Sequence, residues 1–583
     1  MSKVADYTAG TQPIPDKYWL WPLYGAGIEN LGRDGQPILV DTPKITADQI
    51  LVRHDAVGLC FSDIKVINTG ETHPRLQGRN MQTDPVVLGH EVAMTVVEVG
   101  ANLADRFKVG DRFIIQADII YKGVATAYGY ALQGGLSQYN AIGRNILDGD
   151  EGCYLLPVHP DIGYAQAALT EPWACVTASY DVVYRAGWLA GGDVLIVAGP
   201  GAKCDYSLST PYAGGQPPAT VFTLGVEGKL AQELEQRAKE DGFKLVKLGT
   251  LSDETLAKAV ASTKTGKGFD DLVFLGADSA TYEKLEPYAR KGAVLNLVGA
   301  QALTGTTQVD VGRVHYDNLS LTGTASCTIA DAYKPIRTEL KTGGYTVMIG
   351  AAGPMGQMHV QRVMEGNEGP RLVVATDLLP ERLGVITEKF ASMLRDKKGQ
   401  TDLVLKTPEG KSSAEFNASL VEMTDGHGFD DIVVLAPSAG VVTGAIAMMA
   451  DNAVMNIFAG LPVGTKAALD LAGVAEKGHR YTGTSGSAIR DLRGMLNLNE
   501  SGRINPNLSV AAIGGLSDVV TGLDGVMHQA FTGKCVIYPM VREFPVTLLN
   551  DLKEKLPSVY AKLGPNESWT KEAEEEFLKE MLP

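Results

Sequence analysis

The chain has 583 residues and a formal net charge of −16, with 45% hydrophobic and 21% charged residues. The length exceeds that of a single typical domain, and the composition is globular rather than disordered. The acidity argues against a nucleic-acid partner, which needs a basic stripe, and against attraction to an anionic membrane surface.

The amino-terminal residues M-S-K-V-A-D-Y-T lack the apolar run of a secretory signal. The six cysteines (Cys60, Cys153, Cys175, Cys204, Cys327 and Cys535) include no C-x-x-C pair. Such sparse usage predicts free thiols in a reducing compartment, hence a cytoplasmic protein.

Residues 1–190 read as β-rich. Ile50 to Val57, Met94 to Val99 and G-D-R-F-I-I from Gly110 have strand character. Between and after these strands lie G-L-C-F-S-D (Gly58 to Asp63), V-L-G-H-E (Val87 to Glu91), G-G-x-x-x-Y (Gly134 to Tyr139) and an E-P pair at Glu171. Cys60, His90 and Glu91 offer a thiolate, an imidazole and a carboxylate, a donor set suited to zinc. T-E-P-W-A-C-V adds Glu171 or Cys175 as a fourth donor. Each residue alone is ordinary, since a single Cys is usually apolar filler and a single His a hydrogen-bonded core residue. The specific feature is the ordered set.

That set resembles the zinc-dependent medium-chain dehydrogenase/reductase family, and most of all its polyol and sugar branch, over residues near 20–190 and again near 344–542. The resemblance implies an irregular, GroES-like β-barrel as the catalytic domain. It implies Cys60 and His90 as metal ligands, with Glu91 and Glu171 as carboxylates that bind directly or exchange with water and substrate. Cys175 competes with Glu171, but the family's Glu-Pro matches at Glu171. Asp63 matches the acid that receives the other ring N–H of the histidine ligand. Ser62 matches the hydroxyl that shuttles the substrate proton. Lys65 stands where many relatives have a relay histidine. Three readings stay open for Lys65: a relay group, a contact for an anionic substrate such as a sugar phosphate, or a solvated lysine. The family's second, structural zinc needs four clustered cysteines. Ala117 to Ile142 contains none, so one zinc is expected.

Gln166 to Arg185 reads as a helix interrupted near Pro172, followed by a strand at Asp193 to Ala198. From there the chain departs from the family, which needs one Rossmann domain, and reads as two in tandem. G-F-D-D at Gly268 and Gly428, A-V-[LM]-N at Ala293 and Ala453, and T-G-T at Thr322 and Thr482 are each 160 residues apart. Alternating strands and helices in each copy imply a parallel sheet. Ile432 to Ala450 carries no charge and imitates a membrane span. Pro437, Ser438 and Gly440 interrupt it, and its repeat partner Leu272 to Arg290 carries Asp278, Glu283, Lys284 and Glu286, so no membrane is expected.

The expected fold is therefore α/β: a barrel domain in 1–190, Rossmann units in 191–343 and 344–504, a return segment in 505–542 that completes the barrel, and a helical tail in 543–583. The second unit opens Y-T-V-M-I-G-A-A-G-P-M-G, with Gly350, Gly353, Pro354, Met355 and Gly356 in a turn fit for a pyrophosphate. Gly350 or Ala351 takes the first glycine's role. Asp377 ends the next strand, 21 residues past Gly356, where an acid holds a ribose 2′-hydroxyl. Arg382 lies close by in sequence and is expected with Asp377 among the cofactor-binding residues, where it partly offsets the repulsion of a 2′-phosphate. The first unit has Gly199 and Gly201, but Lys203 and Cys204 replace the third glycine and Gly225 replaces the acid. It reads as a degenerate unit for packing or assembly, with a site for another anion at G-P-G-A-K as the alternative. Leu492 to Leu498 and Leu516 to Phe531 read as helices, and G-K-C-V-I-Y-P from Gly533 as a closing strand. The tail from Glu543, rich in Lys and Glu, reads as a solvated helix or an oligomer contact.

The function so implied is zinc- and NAD-dependent interconversion of a secondary alcohol and a ketone on a polyol, sugar or sugar phosphate, in a homo-oligomer (dimer or tetramer). The alternatives are a zinc-free reductase of the same superfamily and a non-catalytic NAD-binding assembly protein.

Overall fold

The computed structural model describes residues 3–76, 78–299, 303–397 and 399–583. An eight-stranded, largely antiparallel sheet forms the barrel. Its centre is the pair Ile50–Gly58 and Glu91–Val99, in which every residue from Ile50 to Gly58 is buried. Strands from the far end of the chain extend the same sheet: Lys534–Tyr538 pairs with Ile50–Gly58, and Val510–Gly515 pairs with Lys534–Tyr538.

Two six-stranded parallel sheets follow. With the strands of each sheet numbered in chain order, both have the order 3-2-1-4-5-6 of a doubly wound fold. The repeated G-F-D-D has a physical reason in both. A Cβ on Gly268 or Gly428 would lie 2.4 or 2.9 Å from the carbonyl oxygen of Tyr288 or Met448, and both glycines have positive φ. Asp270 and Asp430 accept the backbone N–H that starts the first strand of their sheet, from Asp193 and Tyr345, each at 2.9 Å. Asp271 and Asp431 are buried and pair with Arg185 and Arg337, the arginines that precede each unit.

The two units differ after their first strand. In the second, Tyr345–Ile349 leads through the glycine turn into the helix Pro354–Glu365. In the first, no α-helix lies between Asp193–Ala198 and the next strand, Thr220–Leu224. The segment 199–219 is irregular, buries Tyr206 and Leu208 against the sheet, and is fastened by a Cys204–Cys327 disulfide. This corrects the expectation of free thiols throughout. Cys60, Cys153, Cys175 and Cys535 are free.

Three smaller expectations also change. The helical stretch 166–185 is two short helices, Tyr164–Ala168 and Thr170–Ala178, broken at Leu169. Pro172 sits in the first turn of the second helix, where a missing N–H costs nothing. The tail helix Lys571–Met581 is not a solvated surface helix. Phe577, Leu578 and Trp569 are buried, and the buried Glu574 accepts the Ala165 N–H and the Tyr538 hydroxyl, tying the tail to the barrel. Ile432–Ala450 resolves into a strand, Phe429–Val434, and a short helix, Ala439–Ala445. Among the described residues no helix is long and apolar enough to cross a membrane.

Candidate active site

Cys60 immediately precedes the helix Phe61–Thr69. Its backbone N–H donates to Asp63 Oδ2 at 3.0 Å, so the capping geometry that starts the helix also fixes the cysteine. Asp63 is buried and its Oδ1 lies 3.4 Å from His90 Nδ1. One carboxylate thus caps the helix start and lies against the imidazole, whose Nδ1 makes no hydrogen bond. The turn bearing His90 is held from the other side by the double glycine, through Gly134 N–H to Val87 O and Gly135 N–H to Gly89 O, each 2.8 Å. A Cβ on Gly134 would lie 2.4 Å from Leu88 O, which is why glycine stands there.

Cys60, His90 and Glu91 present ligand atoms that all lie within 4.8 Å of one another, and among the described residues they form the one such cluster. Glu91 is fully buried. Its Oε1 accepts from the buried Lys534 Nζ at 2.5 Å, whereas Oε2 has no hydrogen-bond partner. A Cβ on Gly58 would lie 2.0 Å from that Oε2, so glycine in G-L-C makes room for the carboxylate. A soft thiolate, an imidazole and a buried carboxylate oxygen without a partner fit a zinc ion.

Glu171 and Cys175 lie at the edge of this cluster, outside the 4.8 Å span. They share one helical turn, with the Cys175 thiol 3.8 Å from Glu171 Oε1. Burial pushes the Glu171 carboxyl up to about 7, with His90 pulling it down and Glu91 pushing it further up. Burial, and then Glu171, raises the Cys175 thiol well above its ordinary range. Burial alone would lower the His90 pKa, but Tyr130, Asp63 and Cys60 outweigh it and raise the pKa well above the ordinary value.

Sequence reading missed several residues around the cluster. The Tyr130 ring sits 5.5 Å from that of His90 and 5.6 Å from that of His73. The Arg75 guanidinium lies 4.7 Å over Tyr130 and pairs with Asp118 at 2.7 Å. Lys534 was read only as part of a closing strand. Its position just before the apolar C-V-I-Y was the one local sign of a buried charge. Ser62 lies in the first turn of the helix that follows Cys60 and is partly buried. Lys65 is also partly buried, not solvated. It donates to Tyr316 Oη at 3.2 Å and to Gly460 O at 3.5 Å.

In the second unit Gly350 has φ +86° and its N–H donates to Thr376 O. Gly353 caps the helix Pro354–Glu365 with Pro354 at its first position, and Met355 is partly buried beside it. A Cβ on Gly356 would meet Ala351 O at 2.5 Å, whereas one on Gly353 would meet nothing within 4 Å. Gly356 therefore serves close helix–strand packing, and Gly353 faces open space. Asp377 accepts N–H groups from Ala352 at 3.1 Å and Leu378 at 2.8 Å. Arg382 donates to Gln529 at 2.7 Å.

Residues 46–147 match the alcohol dehydrogenase GroES-like domain. The chain is 28% identical to mannitol-1-phosphate 5-dehydrogenase of Aliivibrio fischeri over 318 residues, 51% of this chain and 73% of that protein. It is 30% identical to D-arabitol-phosphate dehydrogenase of Enterococcus avium over 251 residues, 40% of this chain and 62% of that protein. An alcohol dehydrogenase from Thermotoga maritima shares the fold at a TM-score of 0.50 and 13% identity, over 90% of this chain and 99% of that one. With its GroES-like domain, its doubly wound sheets and these relatives, the chain is similar to the medium-chain dehydrogenase/reductase family.

Proposed function

We propose that the chain is a zinc- and NAD-dependent dehydrogenase that interconverts a secondary alcohol and a ketone on a polyol, sugar or sugar phosphate. The observation that carries this reading is the Cys60–His90–Glu91 cluster, with His90 and Glu91 buried and Cys60 partly so, whose following helix reaches through Lys65 to Gly460 of the unit with the complete glycine turn. The substrate class is supported by the relatives named mannitol-1-phosphate 5-dehydrogenase, D-arabitol-phosphate dehydrogenase and L-sorbose 1-phosphate reductase.

Cys60 and His90 would hold the zinc, with Glu91 Oε2 or Glu171 completing the donor set. When bound, the metal supplies Lewis acidity toward a substrate hydroxyl, and the nicotinamide supplies a hydride acceptor. Asp63 keeps the imidazole in one orientation. Lys534 neutralises one oxygen of Glu91, which lowers the cost of burying that charge. Ser62 offers a hydroxyl on the helix after Cys60 to pass on the proton that leaves the alcohol, and the Lys65 ammonium on the same helix offers a positive charge and N–H donors beside it. Gly350 and Gly353 would cradle the pyrophosphate at a helix N-terminus, Gly356 lets that helix pack closely on the turn, and Asp377 would take the adenosine ribose.

The test is metal analysis together with a screen of polyols, sugars and their phosphates with NAD, followed by absorbance of the reduced cofactor. One zinc per chain, and turnover that is lost in Cys60→Ser, is the expected result. Turnover without zinc would identify a zinc-free reductase. NADH binding without turnover on any compound would identify a binding protein.

A further inference from the structure

The first unit has no α-helix between its first two strands, and its own Tyr206 and Leu208 fill that side of the sheet. Its contacts with the second unit indicate another use. The units meet through an antiparallel ribbon, Thr307–Asp310 against Lys466–Leu469. Gln308 and Ala468 are 160 residues apart, so they are repeat equivalents, and they pair directly with each other in this ribbon. The ribbon therefore lies on a pseudo-two-fold axis, the geometry of a self-complementary dimer interface.

The T-G-T repeat follows the same symmetry. A Cβ on Gly483 would lie 3.0 Å from His315 Cα and 3.2 Å from Ile457 O. A Cβ on Gly323 would lie 3.2 Å from Ala475 Cα and 2.9 Å from Leu297 O. Each glycine admits a short helix from the opposite unit: Val311–Tyr316 over the second sheet and Leu471–Glu476 over the first. One apolar core runs across the join, with Val309, Val311 and Val314 from one side and Ile457, Leu469 and Val474 from the other.

The symmetry breaks at the ends of the two helices. The second unit's helix ends in Ala475 and Glu476, whereas the first unit's ends in His315 and Tyr316. His315 Nδ1 lies 3.1 Å from Ile457 O, at the carboxyl end of the strand Met449–Ile457. Burial pushes the His315 pKa down to about 4, so its neutral ring donates to that carbonyl. Tyr316 Oη receives the Lys65 ammonium, which also reaches Gly460 O just beyond the same strand. The carboxyl ends of the strands are where open α/β sheets bind their ligands. Three parts of the chain thus meet at one point: the helix after Cys60, the carboxyl edge of the second unit and the helix tip of the first.

We infer that the first unit serves the active site as a built-in partner subunit, with Tyr316 as a positioning residue that reaches across the pseudo-two-fold to hold Lys65 at the carboxyl edge of the second unit. This rests on the proposed dehydrogenase function with its cofactor on the second unit. Tyr316 acts through Lys65: its phenol oxygen accepts one ammonium N–H and its ring lies beneath the charge, 5.9 Å from the centroid. The degenerate glycine turn of the first unit is then no loss, because that unit supplies a wall rather than a cofactor site.

The test compares the full-length wild type with Tyr316→Phe, Lys65→Met and the double variant. Two readouts are taken: steady-state kinetics, and the rate at which Lys65 is acetylated by a small acylating reagent, followed by peptide mass spectrometry. Tyr316→Phe keeps the ring and the fold. It is expected to lower kcat about tenfold, on the scale of one hydrogen bond to a charged group, with the KM for NAD unchanged. It is also expected to speed Lys65 acetylation several-fold, and to add nothing to Lys65→Met. Wild-type kcat and unchanged acetylation in Tyr316→Phe would overturn the inference, as would an undiminished loss of kcat on top of Lys65→Met. The acetylation readout does not depend on turnover. Faster labelling in Tyr316→Phe of a protein that oxidises no alcohol would sink the dehydrogenase reading and uphold the Tyr316–Lys65 contact.

Discussion

Lys534 Nζ lies 2.5 Å from Glu91 Oε1, both side chains are almost wholly buried, and 443 residues separate them. Burial alone would lower the pKa of the ammonium, but Glu91 and Cys60 outweigh burial and raise it, so the lysine stays charged. The strand that returns from the end of the second unit thus brings the counter-charge for the carboxylate of the Cys60–His90–Glu91 cluster. Closing the barrel and setting the electrostatics of the site are one event.

Removing one partner of such a pair leaves a buried charge uncompensated, which typically costs roughly 3–5 kcal/mol. Lys534→Met is expected to destabilise the metal-free protein by about that amount in urea unfolding followed by fluorescence. Adding Glu91→Gln should recover most of the loss. A cost below about 1 kcal/mol for Lys534→Met would mean that the pair does not hold the barrel closed.

Asp377 faces the glycine turn with both oxygens tied to backbone N–H groups, and the neighbouring Arg382 is turned toward Gln529. A fixed carboxylate whose neighbouring arginine is engaged by Gln529 favours a ribose 2′-hydroxyl and repels a 2′-phosphate. The protein should prefer NAD to NADP, and Asp377→Ala should narrow the ratio of their kcat/KM values by about 10- to 100-fold, the worth of one charged hydrogen bond. Equal use of the two cofactors by the wild type would refute the assignment.

Glu365, at the end of the helix Pro354–Glu365, accepts from Gln361 and from the Asn505 N–H of the return segment. Burial pushes its carboxyl up to about 7, although these hydrogen bonds pull it down. The folded pKa is above the unfolded one, so folding takes up a proton. The stability that this proton contributes is fully present below the unfolded value of about 4.3 and is lost as pH rises toward about 7. Glu365→Gln should therefore make the fall in Tm between pH 5 and pH 7 shallower. An identical slope in the two proteins would show that Glu365 ionises normally.

The donor set was legible because its chemistry is local: G-x-C-x-x-D encodes both a cysteine and the acid that caps its helix, and G-H-E sits on the adjoining strand pair. The repeat was legible because G-F-D-D does the same two jobs in each unit. What escaped was non-local. Lys534 meets Glu91, and Tyr316 meets Lys65 across 251 residues, with no periodic pattern linking either pair. The Cys204–Cys327 bridge spans 123 residues without a spacing signature, so sparse cysteines suggested free thiols. Charge misled in the tail: Lys and Glu dominate its composition, yet Ala573, Phe577 and Leu578 form a buried stripe at helical spacing.

An NADH fluorescence titration of Gly353→Asp and Gly201→Asp tests whether the second unit alone binds the nicotinamide cofactor. Gly353 has φ −70° and ψ 165°, which any residue adopts, and an aspartate there is a favourable helix cap that meets no atom within 4 Å. The substitution therefore keeps the fold while setting a carboxylate against the pyrophosphate. One NADH per wild-type chain is expected, with binding abolished in Gly353→Asp and unchanged in Gly201→Asp. Two NADH per chain, or binding lost in Gly201→Asp and kept in Gly353→Asp, would contradict binding at the second unit alone.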